Sequence, residues 1–168
     1  NTSYSIGVSK YALNTDPFYG VRIEASKALR EIHTKEAFEA IAASLEQPDA
    51  RARLQVVRDL GGFYRTEALA TLNGIVSREK NPEILTAALE GLGRYATPEV
   101  REILIKHLRS DSYQNRVADG AVRAMRKQDD PAYAKPLLQV LRDRGEAFTS
   151  RGLGYGLETL GHLCRHED

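Results

Sequence analysis

Large apolar residues recur along this chain at an interval too long for one helix and too regular for an irregular fold. Leu29, Leu60, Leu92, Met125 and Leu160 follow one another at spacings of 31, 32, 33 and 35 residues. Eight residues before them stand Val21, Ala52, Ile84 and Val117, and four before them Ala25, Val56, Ala88 and Ala121. The fifth period carries Gly152 and Gly156 at these places. Residues spaced by four and eight lie on one stripe of an α-helix, so each period contributes an amphipathic helix whose small residues face a neighbour. Between these helices runs a second helical pattern: Ala37, Phe38, Ile41, Ala42 and Leu45; Leu69, Leu72, Ile75 and Val76; Val100, Ile103, Leu104 and Leu108; Ala134, Leu137, Leu138 and Leu141. Tyr4, Val8, Tyr11 and Ala12 read as the first helix of the opening pair. The pattern predicts ten helices in five pairs, over residues 1–31, 32–62, 63–95, 96–128 and 129–168. No window shows the alternation of a half-buried strand.

Local signals agree. Asp16-Pro17, Asn81-Pro82, Thr97-Pro98 and Asp130-Pro131 each place an N-cap oxygen before a proline at a first helical position. Leu60-Gly61, Leu92-Gly93 and Leu160-Gly161 read as stops or as close packing points, and Pro136 should kink or shorten its helix near the start. One helix pair cannot bury its own apolar stripe. Consecutive pairs must stack, so the predicted architecture is an all-α, right-handed α-α superhelix whose core is a ribbon between two helix layers.

Composition narrows the function. With 42% hydrophobic and 28% charged residues in 168, the chain has the make-up of a folded domain rather than of a disordered one. No apolar run reaches the roughly 18 residues that suggest a membrane span, and the N-terminus lacks the pattern of a signal peptide. The 24 Lys+Arg against 23 Asp+Glu create no global field for nucleic acid or anionic lipid. A single cysteine, Cys164, excludes a disulfide framework and favours a cytoplasmic location. The sequence opens Asn1-Thr2-Ser3 and its one Met is Met125, so a fragment of a larger protein is expected, with part of the function outside it.

At these columns the sequence resembles the HEAT-repeat family, with a capping Asp followed by Val-Arg as the signature, and the resemblance covers essentially the whole chain. The segment Asp16-Pro17-Phe18-Tyr19-Gly20-Val21-Arg22, followed by Glu24-Ala25 and Ala28-Leu29, resembles the C-terminal repeat array of some bacterial zinc aminopeptidases of the aminopeptidase N type. That resemblance implies zinc and peptide-cleaving chemistry in a parent protein, not here. The family motif H-E-x-x-H, which sets two zinc-binding histidines one helical turn apart around a general base, is missing. No catalytic, cofactor-binding or metal-binding residue is therefore assigned in this chain. The expected function is a non-catalytic interaction or accessory domain for another protein or for its own catalytic domain. The alternative is a free-standing bacterial HEAT-repeat scaffold or regulator. Neither nucleic acid nor membrane is expected as a partner: a base-extruding repair enzyme of this architecture would need a basic face with aromatics, and hydroxylases on such repeats would need recurring His-Glu pairs.

The candidate contact surface is the polar face of the second helices, which in such arrays lines the concave side. Lys27, Arg58, Glu90, Arg123 and Glu158 stand two residues before the recurrent apolar position. Adding the flanking columns gives the candidate set Lys27, Arg58, Glu90, Arg94, Arg123, Lys127 and Tyr155, with a basic segment at Arg94, Arg123, Arg126 and Lys127 suited to an acidic partner. Opposite charges pairing weakly across repeats is the plainer reading of the same ladder. Missing side chains at Ala87 and Gly120 could leave a shallow pocket below Tyr155. The recurring Arg22 and Arg53, with Arg116 and Arg151 one residue out of phase, are expected to tie repeats together through Asp16, Asp49 and Asp111. His162, Cys164 and His166 are read as a terminal helix rather than a zinc site, and His33 and His107 as surface or inter-helix residues. Apolar residues at the opening helix, Tyr4, Ile6, Val8 and Tyr11, are expected to face a neighbour.

Overall fold

A computed structural model describes residues 2–166. Among these residues there is no strand. Ten α-helices follow one another as five pairs: α1 Thr2–Thr15 and α2 Tyr19–Ile32; α3 Lys35–Ala42 and α4 Ala50–Leu60; α5 Thr66–Arg78 and α6 Pro82–Leu92; α7 Pro98–His107 and α8 Arg116–Gln128; α9 Ala134–Arg144 and α10 Ser150–Leu163. Short 3-10 turns at Tyr113–Asn115, Pro131–Tyr133, Gly145–Ala147 and Cys164–His166 mark the later connections. The chain forms two compact units, residues 1–77 and 78–168.

The helix starts are set by the caps that the sequence offers. The Thr97 hydroxyl accepts from Val100 N–H at 3.2 Å, and Asn81 Oδ1 accepts from Glu83 and Ile84 N–H at 3.0 and 3.4 Å. Two of the four Asx/Thr-Pro starts differ. Asp16 accepts from Phe18 N–H at 2.8 Å in a turn, and α2 begins only at Tyr19. Asp130 caps the 3-10 turn that leads into α9, so Pro136 lies in the first turn of that helix, where its missing N–H costs nothing.

Two of the three expected glycine stops end their helices, and the third does not. Gly61 and Gly93 cap α4 and α6 with right-handed geometry, and α10 runs straight through Gly161 to Leu163. Left-handed caps fall instead on His33 (φ 55°) and Asp129 (φ 53°). Gly93 is also the close packing point that the sequence offered as the second reading. A Cβ there would come within 2.8 Å of Ala124 Cα, so glycine allows the end of α6 to touch the backbone of α8.

In residues 1–77 the core is built from Leu13, Leu29, Ile41, Leu60, Phe63 and Leu72, all fully buried. Phe63, just beyond α4, stacks on the His33 ring (centroids 4.6 Å apart) and meets Phe38 edge-on at 5.6 Å. The Arg30 guanidinium lies over the same ring at 5.4 Å, in the space left by Gly62. Buried polar links join α1, α2, α3 and α4: Ser26 Oγ donates to Asp59 at 2.6 Å, and Asn14 Nδ2 donates to Ser44 Oγ at 2.8 Å. Gln47 Oε1 accepts from Arg22 at 3.2 Å and its backbone carbonyl accepts from Arg53 at 3.4 Å.

In residues 78–168 the core contains Ile84, Leu89, Leu92, Leu104, Leu108, Met125, Tyr133 and Leu137. Tyr133 donates its hydroxyl to Gln128 Oε1, and burial pushes its phenol up to about 12. The recurrent apolar column ends differently from the expectation. Leu160 is only half-buried, and Gly152, Gly156, Thr159 and Leu163 form the inward stripe of α10. A similar departure marks the other end, where Val21 is exposed.

Candidate protein-interaction surface

The recurrent register places the polar residues of α2, α4, α6, α8 and α10 at matching positions, and the structure settles the surroundings of each candidate. In residues 1–77, Lys27 is exposed and its ammonium meets Glu24 on its own helix at 2.8 Å, which holds it above its ordinary pKa. Arg58 is exposed on α4 and meets no carboxylate among the described residues.

The remaining candidates lie in residues 78–168, and several come together. Arg123 on α8 pairs with Glu90 on α6 at 2.8 Å, and that hydrogen bond raises the guanidinium pKa. Lys127 Nζ donates to the Glu90 carbonyl at 3.2 Å, which ties the last turn of α8 to α6. Arg94 stands exposed two residues past the end of α6. Arg126 Nη1 reaches the Glu158 carbonyl on α10 at 3.4 Å. Tyr155 is 37% exposed on α10. Arg94, Arg126 and Lys127 meet no carboxylate among the described residues, so the positive charge there is uncompensated.

The shallow pocket expected below Tyr155 is not formed at Gly120. A Cβ at Gly120 would lie 2.8 Å from Thr86 Cγ2, so the Thr86 side chain already fills the space that the missing side chain leaves. The expected arginine-to-capping-aspartate ladder is also built differently. Arg22 donates to the Asp16 backbone carbonyl at 2.6 Å, and Arg53 to that of Gln47, because these carbonyls end the preceding loop beside the guanidinium. The charged ties between repeats use other pairings. Arg116 and Asp111, both expected in the ladder, meet Glu83 at 2.7 Å and Arg144 respectively, while Arg109 to Asp143 at 3.4 Å and Arg101 to Asp130 are pairs that the sequence pattern did not single out. Their signal was present in the spacing, since each pair lies 29 to 34 residues apart, close to the repeat length.

At the C-terminal end, His162 Nε2 lies 2.6 Å from Asp129 Oδ1, and Cys164 is exposed. The His166 side chain lies outside the described residues. Among those described, no group of three His, Cys, Asp or Glu side chains could hold a metal ion. No helix among them is long and apolar enough to cross a membrane.

The model of the HEAT repeats matches three overlapping stretches, residues 10–84, 38–126 and 75–151. The chain belongs to the HEAT-repeat family. The HEAT fold is also that of an engineered protein whose crystal structure superposes with a TM-score of 0.55 over 95% of this chain and 79% of that one, at 18% identity. No curated protein matches the sequence.

Proposed function

We propose that this HEAT-repeat chain is a non-catalytic protein-interaction module, and that the polar face of α6 and α8 takes an acidic segment of its partner. The observation that carries the reading is the charge balance at the ends of these helices. Arg116 and Arg123 are matched by Glu83 and Glu90, whereas Arg94, Arg126 and Lys127 meet no carboxylate among the described residues. The last two sit in the final turn of α8, which favours cations, and a partner carboxylate would add charge-assisted hydrogen bonds there. Fluorescence anisotropy with a labelled Glu/Asp-rich peptide tests this. The double variant Arg94→Glu/Lys127→Glu should weaken binding by about tenfold or more. Equal affinity of variant and parent, or no binding of the acidic peptide by either, would sink the reading.

A finer reading attaches this module to a zinc aminopeptidase. It is supported by the segment Asp16-Pro17-Phe18-Tyr19-Gly20-Val21-Arg22 alone. In that setting the partner surface is the catalytic domain of the same chain, and zinc belongs to that domain. Sequencing the genomic region upstream of Asn1 tests it: an open reading frame carrying H-E-x-x-H in phase with this chain is the expected result, and its absence removes the reading.

A further inference from the structure

On α8 the polar residues Arg116, Asp119, Arg123 and Arg126 form one ridge, at the three- and four-residue steps that keep side chains on one side of a helix. Arg116 and Arg123 turn to α6, where Glu83 and Glu90 receive them at 2.7 and 2.8 Å. Asp119 and Arg126 turn to α10. A Cβ added at Gly152 would lie 2.6 and 3.0 Å from the two Asp119 carboxylate oxygens, and Arg126 Nη1 reaches the Glu158 carbonyl at 3.4 Å. The exposed Tyr155 stands between these two contacts on α10.

Asp119 is the anomaly of this ridge. At the matching place on α6, Thr86 also packs on a glycine of the next second helix, Gly120, but its hydroxyl donates to the Arg116 carbonyl at 3.1 Å. A carboxylate can only accept, and Asp119 receives no hydrogen bond among the described residues. It is half-buried, and burial holds its carboxyl above the ordinary 3.8, while Arg123 and Arg116 pull the other way. A carboxylate drawn part-way out of water costs free energy until a donor reaches it.

The ridge also differs in charge between its two ends. The first half of α8 holds the arginines matched by Glu83 and Glu90 and, beyond them, the surplus carboxylate of Asp119. Its last turn holds the surplus cations Arg126 and Lys127. Asp119 precedes these by seven and eight residues, about 10–12 Å along the axis at about 1.5 Å per residue. An extended chain covers that span in about three or four residues.

We infer that the seam between α8 and α10 takes one extended segment of a partner protein that carries both charges, a Lys or Arg on Asp119 and an acidic residue on Arg126 and Lys127. The acidic contact rests on the function proposed above, and the basic contact does not. Together the two charges fix which end of the segment lies at which end of α8.

Fluorescence anisotropy on the full chain with three labelled Gly/Ser peptides separates the two contacts. The first peptide carries Glu-Glu alone, and the others add one Lys three residues before or after it. At least one Lys peptide should bind about fivefold tighter than the Glu-Glu peptide. Asp119→Asn, which keeps the shape of the side chain and should match the parent by circular dichroism, should erase that gain. A Glu-Glu peptide that binds with no gain from Lys at either place overturns the inference and leaves the proposed function standing. A gain that survives in Asp119→Asn also overturns it, since the cation then sits elsewhere. No binding of any of the three peptides removes both.

Discussion

In residues 1–77 the polar links between successive helix pairs lie inside the protein, whereas in residues 78–168 the Arg–carboxylate links lie at its surface. Ser26 and Asp59 are buried, and so are Ser44 and Gln47. Arg116, Arg123, Arg101 and Arg109 are each about half exposed and reach carboxylates of a neighbouring repeat. Buried hydrogen bonds gain strength from the low local dielectric and become costly when one partner is removed. Exposed ion pairs are weakened by water and salt and contribute little each. One repeat pattern thus accommodates two ways of joining its pairs, and they should respond to different perturbations.

The largest break should come at Phe63. It is wholly buried against His33 and Phe38, and Phe63→Ala should destabilise residues 1–77 by about 3–5 kcal/mol in chemical denaturation. A loss under about 1 kcal/mol would mean that the ring does not hold these pairs together. Next comes close packing in the other unit. Gly93→Ala drives a methyl group into the α8 backbone and should cost about 1–3 kcal/mol. Gly154→Ala, where a Cβ meets nothing, should instead stabilise by up to about 1 kcal/mol through helix propensity.

Ser26→Ala removes a hydrogen bond from a buried carboxylate and should cost about 1–3 kcal/mol. Burial already raises the Asp59 carboxyl pKa above its ordinary 3.8, against the Ser26 and Gln55 hydrogen bonds and the nearby Arg30 and Lys27. As pH rises above 3.8, the unfolded chain gives up this proton before the folded one does, so the folded state loses stability through that window. Asp59→Asn should abolish that slope, measured as denaturation midpoint against pH, and an unchanged slope would locate its origin elsewhere. Half-buried Asp49 has the opposite sign: Arg51 holds it down to about 2, so its contribution is present above 3.8 and lost as pH falls through about 2.

The smallest effect belongs to the surface ladder. Arg123→Ala should cost under about 1 kcal/mol, and a further loss on raising salt should be smaller in this variant than in the parent. An effect as large as that of Phe63→Ala would erase the distinction between the two units.

The helices were legible because burial repeats along them. Ala52, Val56 and Leu60, or Val117, Ala121 and Met125, are one stripe each, and every one is buried. What sequence periodicity could not show sits off the helices or at the ends. Phe63 and Tyr95 follow their helices by three residues and are buried in connections, where no helical period marks them. Leu160 continued the apolar column, but the stripe of α10 is decided by Gly152 and Gly156, whose lack of side chain lets Asp119 and Leu141 approach. Of the candidate surface, Glu90, Arg123 and Lys127 were placed together by register alone. Their state was not, because pairing of Glu90 with Arg123 depends on inter-helix distance, which only the small residues between α6 and α8 determine.

The glycine at position 93 has a consequence for anyone treating these repeats as interchangeable parts. Its neighbour must be as small as Ala124, just as the Ser26 hydroxyl needs the carboxylate of Asp59. Moving the second repeat to follow the third would set Asp59 beside Gly93 and Leu89, a carboxylate against a hydrocarbon with no hydroxyl to receive. Neighbouring repeats are matched like lock wards, and the order in which they occur is itself part of the information that the chain carries.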